Sequence, residues 1–276
     1  MLSILSLGSG SSGNSAVVYS DKTTILVDAG LSAMQLKKRI IEGGLDPQNL
    51  DAILITHEHS DHTKGLEVLS KSISVPVYCN SLTQEVLLEA NGSVNSWQIF
   101  ENGQKFKIGD LEVCGFSVMH DAVDPVGFIF KKNDKKIGFI SDVGHVNQLL
   151  IDSVKDVDCL FIEANYDETL LQSDNKRPWS LKQRVASRHG HLSNKQTAEI
   201  IGSLADLSNL KSVILGHLSN DCNTPEVARA EVILALSNRG ISHVEVNCAN
   251  RNALTCLLYT SPSPRDVEES RMPSSA

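Results

Sequence analysis

The segment Thr56-His57-Glu58-His59-Ser60-Asp61-His62 places three imidazoles and an aspartate within six consecutive positions, directly after the apolar run Ile53-Leu54-Ile55. Two imidazoles two residues apart, His57 and His59, can face one metal ion from a loop at a strand's end. Asp61 and His62, just beyond, can face a second ion beside it. Imidazole combined with carboxylate suits zinc, and also manganese or iron. The bland alternative is a solvated loop rich in His and Asp, and the density of ligand types at the end of a buried strand argues against it. Metal binding lowers the pKa of water toward neutrality, so two such ions would provide a shared hydroxide nucleophile at cellular pH. Phosphodiesters, thioesters and lactams can all be cleaved from that start.

The loop can work only if the surrounding elements hold it. Strands are expected at Leu2–Leu7, Ser15–Tyr19 and Thr24–Val27, around the Gly/Ser-rich turn Gly8-Ser-Gly-Ser-Ser-Gly13. Asp51–Ile55 is the strand that delivers the histidines, and a helix is expected from His62 to Lys71. Capping patterns Ser32-x-x-Gln35, Ser81-x-x-Gln84 and Ser193-x-x-Gln196 open three further helices, and Thr224-Pro225 opens another. Strands at Lys105–Ile108, Leu111–Val118, Val126–Phe130, Lys136–Ile140, Asp158–Ile162, Ser212–Leu215 and His243–Val246 complete the alternation. Strand-rich halves with interspersed helices fit two packed sheets with helices outside. The turn Gly8–Gly13 lacks the lysine and helix spacing of a nucleotide-binding loop, and a tight turn that lets the first two strands pair is an equal alternative.

Of 276 residues, 41% are hydrophobic and 21% charged, ordinary for a soluble globular protein. No apolar run reaches membrane-spanning length, and Met1 leads into Leu2-Ser3-Ile4-Leu5 without a basic leader. The six cysteines show no paired spacing and read as reduced thiols. A cytoplasmic location, with no membrane partner, follows as the expectation. The net charge of −8 argues against nonspecific coating of nucleic acid but leaves room for a local basic groove. Residues 1–255 are expected to form one domain. Residues 256–276, with Cys256-Leu-Leu-Tyr-Thr-Ser-Pro-Ser-Pro-Arg-Asp266 and Ser270-Arg-Met-Pro-Ser-Ser-Ala276, look like translated sequencing adapter and are set aside, so the native terminal strand is expected to be cut short.

The H-x-H-x-D-H pattern after a strand resembles the metallo-β-lactamase superfamily. That resemblance implies a four-layer αββα sandwich, an α/β (α+β) fold, with a binuclear site at one edge of the sheets. It also implies the remaining ligands: His120 in Val118-Met-His-Asp121, Asp142 in Phe139-Ile-Ser-Asp142 as the carboxylate shared by both ions, and His217 in Leu215-Gly-His-Leu218. Site one would be His57, His59, His120 and Asp142; site two would be Asp61, His62, Asp142 and His217. His145 is assigned a supporting or surface role. Asp28, after Ile25-Leu26-Val27, is a candidate to orient the histidine loop from behind, or an ordinary turn carboxylate.

Further strings narrow the resemblance. Gly8-Ser-Gly-Ser-Ser-Gly-Asn-Ser15, His57–His62, His120-Asp-Ala with Pro125-Val-Gly-Phe128, Glu163-Ala-Asn-Tyr-Asp167 and Gly190-His-Leu-Ser-Asn194 together resemble the YycJ/WalJ branch across residues 1–255. The branch implies a 5′-to-3′ DNA exonuclease, linked to mismatch repair, with two divalent ions, Zn2+ or Mn2+, and DNA ends as substrate. It implies catalytic roles for Asp61 as ligand and proton acceptor, and for His191 steadied by Glu163. Cys222 departs from the branch, which implies asparagine there. A ribonuclease Z-like RNA nuclease, a glyoxalase-type thioester hydrolase and a protein with a purely structural metal site are the alternatives.

A nuclease needs positive charge where phosphates lie. Lys176-Arg-Pro-Trp-Ser-Leu-Lys-Gln-Arg-Val-Ala-Ser-Arg188 carries five basic residues and no acid, and leads into His191. Lys176, Arg177, Lys182, Arg184 and Arg188 are therefore the candidate phosphate contacts, with Trp179 able to stack on a base; a solvated helix face with Trp179 turned inward is the alternative. The run Lys131, Lys132, Lys135 and Lys136 reads as ordinary surface at a hairpin.

Overall fold

The computed structural model describes residues 1–91, 94–251 and 253–259, which form two seven-stranded sheets with helices on their outer faces. In the first sheet β1 (Leu2–Gly8), β2 (Ser15–Ser20) and β3 (Thr24–Val27) are antiparallel, and β4 (Ala52–Leu54), β5 (Val77–Cys79) and β6 (Trp97–Ile99) continue parallel to β3. The second sheet repeats the plan. There β7 (Lys105–Ile108), β8 (Leu111–Ser117), β9 (Val126–Lys132) and β10 (Lys135–Ile140) are antiparallel, then β11 (Cys159–Glu163), β12 (Ser212–Gly216) and β13 (Glu245–Cys248) run parallel to β10. A final strand, β14 (Thr255–Tyr259), pairs antiparallel with β1.

The helices are α1 (Ala33–Glu42), α2 (Ser60–Thr63), α3 (Leu66–Ile73), α4 (Ser81–Asn91), α5 (Gln148–Val154), α6 (Glu168–Ser173), α7 (Trp179–Val185), α8 (Asn194–Leu207) and α9 (Pro225–Asn238). Alternation along the strands explains the layers. Leu2 and Ile4 of β1 face the opposite sheet and meet Val113, Phe128, Phe130, Phe139 and Phe161 in a core between the sheets. Leu5 and Leu7, on the other face, pack with Leu36 and Ile40 of α1 and Leu66 and Leu69 of α3. The second sheet's outer face likewise packs Leu160, Ile162 and Leu215 against α5, α8 and α9. Helix, sheet, sheet, helix is the αββα sandwich. Strands apolar on both faces read as continuous apolar runs, which is why they were visible in the sequence. Among the described residues no helix is long and apolar enough to cross a membrane.

Local differences from expectation have local causes. The helix expected from His62 to Lys71 is broken into α2 and α3 at Gly65, whose N–H donates to Ala29 O at 2.7 Å and whose Cβ position lies 2.2 Å from Leu31 O. The cap of α4 is Asn80, whose Oδ1 accepts from Thr83 N, one residue before the serine expected to cap it. The capping boxes of Ser32 and Ser193 form as written, and Thr224 caps α9 with Pro225 in its first turn. The short β5, β6, α5 and α6 escape a periodicity reading because three to seven residues hold too few repeats. β14 includes residues 256–259 of the adapter-like stretch. Its pairing is made by main-chain groups, which any extended segment can supply to an exposed strand edge. Residues 260–276 lie outside the described residues.

The parallel halves matter for function, because loops that leave the carboxyl ends of parallel strands gather at one edge. At that edge Gly30 is the tightest contact: its Cβ position lies 1.7 Å from Asp61 O, while its N–H donates to Asn14 O and Asn14 N donates to Asp61 O. Gly30→Ala is expected to cost on the order of 1–3 kcal/mol through overpacking. By contrast Gly44→Ala, at φ +79 with nothing within 4 Å of the added carbon, meets only backbone strain. Calorimetric melting of both variants checks this; a Gly30→Ala protein that melts with the parent would show that the backbones need not approach so closely.

Candidate metal centre

β4 ends at Leu54, and Ile55 and Thr56 carry the chain to the site edge. Asp28, at the end of β3 with φ 60, turns its carboxylate under this loop. Its Oδ1 accepts from Thr56 N at 2.8 Å, and its Oδ2 lies 2.7 Å from His62 Nδ1. Because Asp28 occupies Nδ1, the Nε2 edge of His62 faces inward. His57 Nε2 and His59 Nδ1 approach to 3.0 Å, so the two rings aim at one point.

The second sheet brings the other residues. His120 follows β8 and engages Gly190 O through Nδ1 at 3.0 Å. Asp142 follows β10, fully between the two halves of the cluster: one oxygen lies 3.5 Å from His120 Nε2 and 3.9 Å from His57 Nε2, the other 3.4 Å from His62 Nε2 and 3.4 Å from His217 Nδ1. His217 follows β12 at φ 51, a left-handed conformation that non-glycine residues adopt at a cost, and Ser9 Oγ accepts from its N–H at 2.6 Å. The structure thus forms two clusters, His57–His59–His120–Asp142 and Asp61–His62–Asp142–His217, each with one atom per residue mutually within 4.8 Å.

Electrostatics fit the same arrangement. Burial, reinforced by the charge near His62, drives His57 well below the usual imidazole value, and burial also lowers His120, so both favour the neutral form that a ligand needs. Burial would raise Asp142, but His217 and His62 outweigh it and hold the carboxyl well below its usual range. Burial would lower His62 and His217; Asp142 with Asp28 carries the first well above its usual value, and Asp142, Asp61 and Glu163 push the second up to about 10. Both shifts come from the carboxylates packed around these rings. The Nε2 atoms of His120 and His217 are buried with no hydrogen-bond partner. That of His120 lies 3.5 Å from Asp142 and that of His217 3.7 Å from Asp61, and unpaired buried nitrogens facing carboxylate oxygens are what a metal-binding donor set presents.

Residues 23–217 match the family model of the beta-lactamase superfamily domain. The chain is 40% identical over 242 residues to exodeoxyribonuclease WalJ of Streptococcus pneumoniae, covering 85% of this chain and 89% of that one. It is 36% identical over 236 residues to exodeoxyribonuclease YycJ of Bacillus anthracis, with the same coverage. The chain belongs to the metallo-β-lactamase superfamily, in the WalJ/YycJ branch. A solved metallo-β-lactamase fold protein, YhfI from Bacillus subtilis, shares the fold at a TM-score of 0.71 and 16% identity, over 92% of this chain and 99% of that one.

The superfamily's edge site is here a cavity of 230 Å³ lined by His59, Asp61, His120, Asp142, His191 and His217, with Arg184 and Leu181 of α7 opposite. Glu163, at the end of β11, is buried and lies 3.0 Å from His191 Nδ1 and 3.1 Å from His217 Nδ1. Burial would raise its pKa, but His191 and His217 outweigh this and keep it ionised. Its other oxygen accepts from the backbone N–H of Val143 and Leu192, so the carboxylate is fixed from four sides.

The five basic residues have different surroundings. Arg184 faces the metal cavity and pairs with Asp121 at 2.7 Å. Arg177 and Lys176 pair with Asp221, and Arg177 also with Asp174. Lys182 donates to Gln172 O, and Arg188 is exposed. Trp179 is exposed too. His145 stays outside both clusters, in a bridge to Met119. Cys222 is buried beside Tyr166 and Leu171.

Sequence reasoning passed over Asn14 and Ser9, the working residues of the Gly/Ser turn. Asn14 Nδ2 lies 3.1 Å from both Asp61 Oδ2 and His62 Nε2, and its Oδ1 accepts from Gly10 N. An amide is no ligand signal, so only the fold could reveal it. Asp142→Ala is expected to remove an anchor from both clusters and leave less than one metal per chain by elemental analysis; a fully loaded variant would end its shared role. Asp28→Asn, which touches no cluster atom but His62 Nδ1, should weaken metal affinity 10–100-fold in chelator competition.

Proposed function

We propose that this chain is a two-metal phosphodiesterase that removes nucleotides from the 5′ ends of DNA. The observation that carries the reading is Asp142, a single buried carboxylate whose two oxygens each serve one imidazole cluster at the floor of an open cavity. Two divalent ions held by these clusters would supply a nucleophile at neutral pH and charge stabilisation for a transferring phosphate. Zinc suits the imidazole-rich donors, and manganese the carboxylates. The relatives matched over most of their length bear the name exodeoxyribonuclease, which favours a phosphodiester over a thioester substrate. An open cavity also fits poorly with a closed structural metal site.

The chain's own residues have distinct tasks. Asp61, hydrogen-bonded by Asn14, faces the cavity as ligand and proton acceptor. His191, steadied through Nδ1 by Glu163, keeps its other ring nitrogen for the cavity, where it would donate to the leaving oxygen. Arg184 stands across from the clusters as a phosphate contact that Asp121 holds in place until substrate arrives. DNA as substrate and free thiols at Cys79, Cys114, Cys159, Cys222 and Cys248 support action in the cytoplasm. We take residues 1–255 as the hydrolase domain and 256–276 as appended sequence.

Metal-loaded protein should progressively release label from 5′-labelled duplex DNA, and Asp61→Ala should not. If neither zinc nor manganese supports cleavage by protein carrying two metals, the DNA reading fails and RNA of the same sequence becomes the next substrate. His191→Ala should lower turnover about 100-fold or more while metal content stays near that of the parent. Loss of metal in that variant would make His191 a structural residue.

A further inference from the structure

The short helix α7 has no buried residue. Seven residues are too few for a helix to persist on propensity alone, so such a segment needs a packing partner. Its two faces are occupied differently. Leu181, Arg184 and Val185 look onto the metal cavity. Trp179, Lys182, Gln183 and Ala186, at helical spacing on the opposite face, line a separate cavity of 370 Å³. Between the two lies a third cavity of 130 Å³, which shares His191 and Val185 with the first and Tyr166 and Leu171 with the second. The three form a chain of neighbouring hollows around α7, leading from the clusters to Trp179.

We propose that the cavity beside Trp179 is a nucleobase subsite, which holds a base of the substrate strand a few nucleotides from the phosphate being cleaved. The inference rests on the nuclease reading above and extends it to how the strand is held. Trp179 is 68% exposed, and an indole left in water beside a hollow offers a flat stacking surface. Lys182 and Glu168 give the cavity one charge of each sign, so its walls suit a neutral base better than a phosphate. Gln172 and Gln183 add amides that can meet the hydrogen-bonding edge of any base. The reach is right for a strand: Trp179 and Arg184 are separated by roughly 8 Å along the helix axis.

Two readouts test this. In a Trp97→Phe background, Trp179 is the remaining tryptophan, and a phosphorothioate-linked single-stranded tetranucleotide should quench its fluorescence saturably. Separately, kcat/KM for a tetranucleotide, divided by that for bis(p-nitrophenyl) phosphate, which is too small to reach the cavity, should fall roughly 5- to 150-fold in Trp179→Ala, as for one lost base stack. Trp179→Phe should restore most of that ratio. An unquenched indole together with an unchanged ratio, from a parent protein that does cleave DNA, overturns the subsite and leaves the nuclease reading standing. If the parent cleaves no nucleic acid, the nuclease reading fails by itself, and the subsite, defined by the phosphate being cleaved, falls with it.

Discussion

A carboxylate buried among imidazoles is the constraint around which the rest of this molecule is arranged. Asp142 is 5% exposed, and a charge so placed is stable only if opposite charge surrounds it closely. His57, His62, His120 and His217 do surround it, yet they must arrive from three separate stretches of the chain, after β4, β8 and β12. That requirement explains the αββα plan in functional terms. Parallel strands release their loops at a common edge, and two sheets packed face to face bring two such edges together.

The supporting residues follow the same logic at one remove. An imidazole presents the correct nitrogen only if its other nitrogen is engaged. Asp28 does this for His62 and Gly190 O for His120. Backbone conformation is part of the cost: Asp28 and His217, two of the four non-glycine residues with positive φ among the described residues, both sit at this edge. The Gly/Ser turn belongs here as well. Its glycines let the chain lie close enough for Ser9 to hold the His217 backbone and for Asn14 to reach Asp61.

What the sequence made legible was whatever repeats or clusters. His57 to His62 stand together, strands buried on both faces are apolar throughout, and Ser32 and Ser193 carry their capping partners three residues on. His120, Asp142 and His217 are single residues scattered over nearly a hundred positions, and only the family resemblance singled them out. The roles of Asn14 and Ser9 depend on tertiary approach and leave no local pattern. The basic stretch was legible only in part. Composition counts charges but not their partners, and Asp121, Asp174 and Asp221, distant or unremarked in sequence, pair with Arg184, Arg177 and Lys176.

The division of the centre between the two sheets has a further consequence. His57, His59, Asp61 and His62 hang from the first sheet, and His120, Asp142 and His217 from the second. Ions bound between them would act as rivets across the interface as well as reagents, because neither sheet holds a complete donor set. Binding would then favour the docked state over any form in which the layers have parted, in proportion to the logarithm of free metal concentration. In a cell short of metal the protein would lose cohesion along with activity, and its abundance would come to follow metal supply through turnover of the loosened form.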